Sequence, residues 1–281
     1  MPLVKAKIRV GHSPDPDDAF MFYAIAHQKI ATDGITFSHV IEDIESLNKR
    51  AFKSDLEVTA VSAFAYFCIA DKYALMPCGS SIGDQYGPVL VTTQPLYPKN
   101  LKGKKIAVPG LNTTAYLTLR LFLPDFQEVV VPFDKILETV EKGDAAAGLI
   151  IHEGQLTYKK LGFHKVADLG EWFYEMTKLP LPLGVDVVRK NLGRDVMRKV
   201  TKLLRTSIEY GLKHRPEALT YAMKFGRGIE TDTADEFVGM YVNDYTVDMG
   251  RKGKDGLLAL QRAALLRGIL KESPKIEFVD M

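Results

Sequence analysis

Residues Ala145-Ala-Ala-Gly-Leu-Ile-Ile-His-Glu-Gly-Gln155 run a stretch of small and branched apolar side chains straight into a histidine and a glutamate. The run is too short to span a membrane and reads as a buried strand. It follows a helix-like segment, Lys135–Glu141, and the turn pair Gly143-Asp144. The same plan stands earlier in the chain: helix Ile44–Phe52, then Ser54-Asp55, then strand Val58–Val61, then Ser62.

Working outward, the echo extends. A strand at Lys7–Val10, a Gly/Pro loop from Gly11 to Asp17 and a helix from Asp18 match a strand at Lys104–Val108, the loop Pro109-Gly-Leu-Asn112 and a helix from about Thr113. Asp17 or Asp18 in one case, and Asn112 or Thr113 in the other, are residue types suited to a helix N-cap. Second strands at Ala74–Pro77 and Lys165–Asp168 follow, and Pro88-VLVTT and Leu183-GVDVV read as strands that cross between lobes. Alternating strands and helices predict α/β layering with parallel strands, whose C-terminal ends share an edge where ligands bind. The loops at Ser13-Pro-Asp-Pro-Asp-Asp18, Ser62, Thr113-Thr114 and His152 then line a cleft between two lobes. From Asn191 onward the chain reads as helical. Val196, Val200, Leu204, Ile208 and Leu212 recur every fourth residue on one face, and a second amphipathic helix spans about Gly256–Arg267. Both are expected to pack on the first lobe.

The bulk composition narrows the classes. The chain has 281 residues, 46% of them apolar, and a formal net charge of +2 from 37 basic and 35 acidic side chains. That balance gives no basic surface for nucleic acid or anionic membranes. No apolar run reaches membrane-spanning length, and MPLVKAKIRVGHS lacks the apolar core of an export signal, so a cytoplasmic protein is expected. Cys68 and Cys78 stand outside any metal-binding spacing and read as two reduced, buried thiols. Phosphate-loop, dinucleotide, nucleophile-elbow and zinc motifs do not occur.

Of the six histidines, His152 has the most suggestive setting, because a strand end presents its side chain rigidly. An imidazole there suits proton abstraction at neutral pH or, equally, structural bonding to a buried carbonyl. His12, in the first loop, is its competitor. Glu153 is expected on the opposite face from His152. At the second helix start, one threonine caps; a second hydroxyl, with the free N–H groups and the helix dipole, suits a carboxylate or phosphate. Asp18 is either a cap or a ligand contact.

Arg9-Val-Gly-His-Ser-Pro-Asp-Pro-Asp-Asp-Ala-Phe-Met-Phe-Tyr23, Val108-Pro-Gly-Leu-Asn-Thr-Thr-Ala-Tyr116, Gly148-Leu-Ile-Ile-His-Glu153, Leu179-Pro-Leu-Pro-Leu-Gly184 and Tyr241-Val-Asn243 together resemble the MqnD family. These are the 1,4-dihydroxy-6-naphthoate synthases of the futalosine route to menaquinone. The chain departs from the family pattern at Asp15 and Asp17, and Ala60 stands where relatives carry lysine. The resemblance implies a type 2 periplasmic-binding-protein-like fold with two crossover strands, residues 1–92 plus 186–281 forming the larger lobe and 93–185 the smaller. It implies a lyase that splits cyclic dehypoxanthinyl futalosine, an aromatic carboxylate, with no metal or organic cofactor. His152 is then the general base, and Asp18, Ala60, Val61, Ser62, Thr113 and Thr114 contact the substrate. Two other readings stay open: the chorismate dehydratase sister of that route, and a solute-binding protein of the same fold, which would need export.

Overall fold

The computed structural model describes residues 6–225 and 230–280. Residues 1–5, where the absence of an export signal is read, lie outside them. The strands are β1 (Ala6–His12), β2 (Ile35–Ile41), β3 (Val58–Ser62), β4 (Tyr73–Leu75), β5 (Ser81–Gly83), β6 (Val89–Thr92), β7 (Lys105–Val108), β8 (Gln127–Val130), β9 (Ala147–Ile150), β10 (His164–Asp168) and β11 (Leu181–Arg189). The helices of the alternating part are α1 (Pro16–Ala26), α2 (Ile44–Phe52), α3 (Ala63–Phe67), α4 (Thr114–Phe122), α5 (Ile136–Glu141), α6 (Gly154–Thr157) and α7 (Leu169–Thr177). They are followed by α8 (Arg194–Lys213), α9 (Arg215–Ala222), α10 (Thr231–Tyr241), α11 (Asp244–Val247) and α12 (Gly250–Leu266).

The chain divides into two compact units. The first holds residues up to Ile82, Gly184–Arg251 and Pro274 onward; the second holds Gly83–Leu183 and Lys252–Ser273. The sequence reading had put the crossings at 92/93 and 185/186 and had kept the whole C-terminal region with the first lobe. Helices α8, α9 and α10 do pack on α1 of the first unit. Helix α12 does not follow them: Gly256 lets it approach the carbonyl of Pro180, and an added Cβ would lie 2.3 Å from that oxygen.

In the first unit the sheet runs β2-β1-β3-β11-β4. β1 is parallel to β2 and β3, whereas β11 returns antiparallel between β3 and β4. Beyond its first turn helix α1 is apolar all round because it is covered all round: Phe20, Met21, Phe22 and Ile25 join Ile8 and Val10 of the sheet and Val200, Leu204 and Ile208 of α8 in one core. The every-fourth-residue stripe of α8 thus faces α1, as its spacing requires.

In the second unit the order is β10-β6-β9-β7-β8. Alternate residues of each strand face opposite sides. Leu90, Ile106, Val108 and Leu149 build one core with α4, while Val89, Val91, Ala107 and Ile150 build another with α5. A strand covered on both faces reads as a continuous apolar run, which accounts for AAAGLII. Gly148 is required within it, since a Cβ there would meet Ile136 and Val140 of α5 at 2.6 and 2.8 Å.

Both cysteines are unpaired. Cys78 is buried, but Cys68, at the end of α3, is exposed, correcting the expectation of two buried thiols. No described helix is long and apolar enough to cross a membrane.

Candidate functional site

Helix α1 begins one turn-position earlier than its acidic residues suggest. Pro16 is its first residue and Asp15 its N-cap, so Asp17 and Asp18 lie inside the first turn. Proline fits there because a first-turn N–H has no helical partner to lose. The Asp15 side chain makes no cap bond; Ser13 Oγ donates to it at 3.1 Å. Asp18 instead reaches back, its Oδ2 accepting the Ser13 amide at 2.7 Å. Asp17 accepts from Ser81 Oγ at 3.3 Å. Burial, opposed by the Ser13 amide and reinforced by Asp15, pushes the Asp18 carboxyl up to about 6. Burial, then Asp18 and Asp15, raise Asp17 further.

Ala60, Val61 and Ser62 end β3 opposite Asp186, Val185 and Gly184 of β11. Val61 is fully buried. Ser62 is locked by Asn48 of α2: Asn48 Nδ2 donates to Ser62 Oγ at 3.1 Å and Ser62 N donates to Asn48 Oδ1 at 2.9 Å. Sequence reading missed Asn48, because a buried asparagine in a helix becomes visible only once its partner is placed.

It missed Asp186 as well. This carboxyl is fully buried, and neither oxygen has a hydrogen-bond partner. Gly79, at φ +81°, accommodates it; a Cβ on that glycine would lie 2.1 Å from Asp186 Oδ2. Burial, with Asp18 adding to it, holds the carboxyl well above the usual range. The signal was a lone acid inside the apolar strand Gly184-Val-Asp-Val-Val188.

In the second unit Thr113 is the N-cap of α4. Its hydroxyl accepts from Tyr116 N at 3.1 Å and donates to Gly110 O at 2.9 Å. The Thr114 hydroxyl donates to Leu183 O at 2.7 Å. Both side chains are 2% exposed. Each hydroxyl proton is therefore committed to a main-chain carbonyl, so the hydroxyls can only accept from a donor, and an anion here would rest on the dipole of α4.

β9 ends at Ile150, and the chain turns before His152 rather than carrying it as strand. That turn overturns the expectation of opposite faces: Glu153 Oε2 lies 3.7 Å from His152 Nδ1. The Gly154 amide donates to Nδ1 at 3.0 Å, so Nδ1 carries the lone pair. Nε2 then carries the hydrogen and donates to Phe133 O at 3.1 Å, with the Phe133 ring edge-on at 5.5 Å. Both sequence readings of this histidine are thus present in outline: a bonded carbonyl on one nitrogen, a basic lone pair on the other. Among the described residues no group of three or more His, Cys, Asp or Glu is arranged to hold a metal ion.

Two α/β units, between which the chain passes four times, define a periplasmic-binding-protein-like fold. The product of a Candida albicans gene described as having that generic fold aligns over 98% of both chains at 15% identity with a TM-score of 0.74. A crystallised protein of Archaeoglobus fulgidus is 46% identical, covers 94% of this chain and 98% of its own, and superposes with a TM-score of 0.90. The family model for menaquinone biosynthesis matches residues 8–265. A 1,4-dihydroxy-6-naphtoate synthase of Thermus thermophilus is 38% identical over 97% of this chain and 99% of its own. One from Streptomyces coelicolor is 33% identical over 94% of each. The chain belongs to the menaquinone-biosynthesis family of 1,4-dihydroxy-6-naphtoate synthases.

Proposed function

We propose that the chain is a cytoplasmic lyase that converts cyclic dehypoxanthinyl futalosine to 1,4-dihydroxy-6-naphthoate, with His152 as general base. The observation that carries the reading is identity to two synthases over nearly the whole chain, the region of every candidate residue included. Proton abstraction starts bond cleavage, and the ring gains aromaticity as product forms. The driving force lies in the substrate, so the protein need only supply a placed base and exclude water.

His152 Nδ1 is the nitrogen with the lone pair, and the Gly154 amide holds it. Substrate displaces that amide as it presents its proton, while Phe133 O keeps the ring oriented through Nε2–H. The imidazolium formed has the Glu153 carboxylate 3.7 Å from the nitrogen that received the proton. Asp18, Ala60, Val61 and Ser62 of the first unit, and Thr113 and Thr114 of the second, contact the aromatic carboxylate substrate. The dipole of α4 suits its carboxylate.

Incubating the purified protein with cyclic dehypoxanthinyl futalosine and identifying the products tests this. Release of 1,4-dihydroxy-6-naphthoate is expected. Tight binding without turnover would favour a solute-binding protein, and dehydration of chorismate would favour the sister enzyme.

A further inference from the structure

The histidine the proposed reaction does not use is the most constrained one in the first unit. His12 closes β1 and is fully buried, stacked on Phe22 at 4.8 Å with the rings 15° apart. Its Nδ1 lies 3.0 Å from Ser13 O, and its Nε2 lies 3.1 Å from His39 Nδ1. These contacts determine where the hydrogens sit. A carbonyl oxygen only accepts, so His12 Nδ1 must carry a hydrogen. In the neutral ring Nε2 is then an acceptor, so His39 Nδ1 must donate to it. His39 Nε2 is left with a buried lone pair and no hydrogen-bond partner. Burial holds His12 neutral, its pKa lowered to about 4, which the Ser13 carbonyl only partly opposes.

The chain of bonds continues past His12. Ser13 presents its carbonyl to His12 and its amide to Asp18 Oδ2, at 2.7 Å. The flanking Pro14 and Pro16 have no N–H, so the loop cannot hold itself by backbone bonds at those positions. Ser13 and Asp15 also bond each other both ways, at 3.1 and 3.0 Å, while the Asp15 carbonyl accepts from Ala19 N at 3.1 Å and the His12 carbonyl from Glu42 N at 3.3 Å. The imidazole grips the carbonyl of the same residue whose amide aims the Asp18 carboxyl, so it bears directly on that aim.

We propose that His12 is a positioning residue for Asp18: held in its Nδ1–H form by His39, it fixes Ser13, whose amide aims the Asp18 carboxyl at a hydroxyl or N–H donor of the substrate. The inference rests on the reading that Asp18 contacts substrate, and its test separates the two. His12→Asn places an amide N–H where Nδ1–H stands. His12→Gln places it where Nε2 stands, and His12→Phe keeps only the stacking on Phe22.

Two readouts apply. In turnover of cyclic dehypoxanthinyl futalosine, His12→Phe and His12→Gln are expected to raise KM about tenfold with kcat little changed, the loss of one well-aimed hydrogen bond. His12→Asn is expected to recover most of that loss. Independently of activity, carboxyl NMR of Asp18 is expected to show its pKa rising in His12→Phe and returning in His12→Asn, because a wandering Ser13 amide no longer favours the carboxylate. Asp15, Asp17 and Asp186, the other charged or titratable groups acting around that carboxyl, are the same in every variant. An Asp18 pKa unchanged in a folded His12→Phe protein, or nitrogen NMR showing the Nε2–H form of His12, overturns the positioning role. If Asp18 shifts as expected but Asp18→Asn leaves KM unaltered, the substrate contact fails and the inference falls with it. If His12→Phe does not fold, His12→Gln carries the same comparison.

Discussion

A buried acid without a partner is informative at the level of one residue. Asp186 binds its proton more tightly folded than unfolded, because burial penalises the ionised form. Its contribution is therefore favourable only at low pH, below the unfolded carboxyl value, and is lost as pH rises. Asp186→Asn, the same shape without the charge, should raise the melting temperature at about pH 8 and change little at about pH 3; thermal scans at the two pH values check the difference. An equal effect at both would mean that Asp186 is ionised and paired. His152 gives the matching test of chemistry. His152→Ala should remain folded and lose about 10²–10⁴-fold in turnover, the usual contribution of a general base, as single-turnover product analysis would read. Glu153→Gln should lose less, since it removes only the neighbouring charge.

At the scale of elements, two glycines in helices carry opposite expectations. In α10, a Cβ on Gly239 would meet only an Arg215 nitrogen at 3.5 Å, an ordinary contact. Gly239→Ala should therefore stabilise by up to about 1 kcal/mol through helix propensity. In α12, a Cβ on Gly256 runs into the Pro180 carbonyl. Gly256→Ala should destabilise by about 1–3 kcal/mol despite the same propensity gain. Urea denaturation of the two variants gives the signs directly. Helix α4 offers a third case. Thr113→Ala removes its cap and should cost about 1 kcal/mol, so any larger fall in substrate affinity reports the site and not the helix. The α8 stripe and the alternation of β6, β7 and β9 were legible in the sequence because each periodicity follows from one element's own geometry. The start of α1 was not: the two caps read there, Asp17 and Asp18, both lie inside the helix, because Pro16 takes the first helical position and leaves Asp15 as the cap.

For the whole molecule, the consequential finding is that α12 belongs with the second unit. Residues 83–183 form a continuous segment whose Pro180 region is covered by a helix from far along the chain. A fragment of residues 83–183 should therefore melt below the intact protein, and adding a peptide of residues 252–273 should raise its melting temperature in circular dichroism. No response to the peptide would place the stabilising contacts elsewhere.

Composition, periodicity and the doubled strand–loop–helix plan by themselves determined the α/β class, two units and the buried strands, and the resemblance of the motif blocks pointed to the family. All of these depend on local geometry or on motifs read in order. Tertiary structure alone decided that Glu153 swings to the His152 side, that the hydroxyls of Thr113 and Thr114 are spent on carbonyls, and that Asn48, His12 and Asp186 surround the candidate residues. Each of these rests on hydrogen bonds and burial, including contacts between segments far apart in the chain, and no periodicity encodes which distant partner a polar side chain meets.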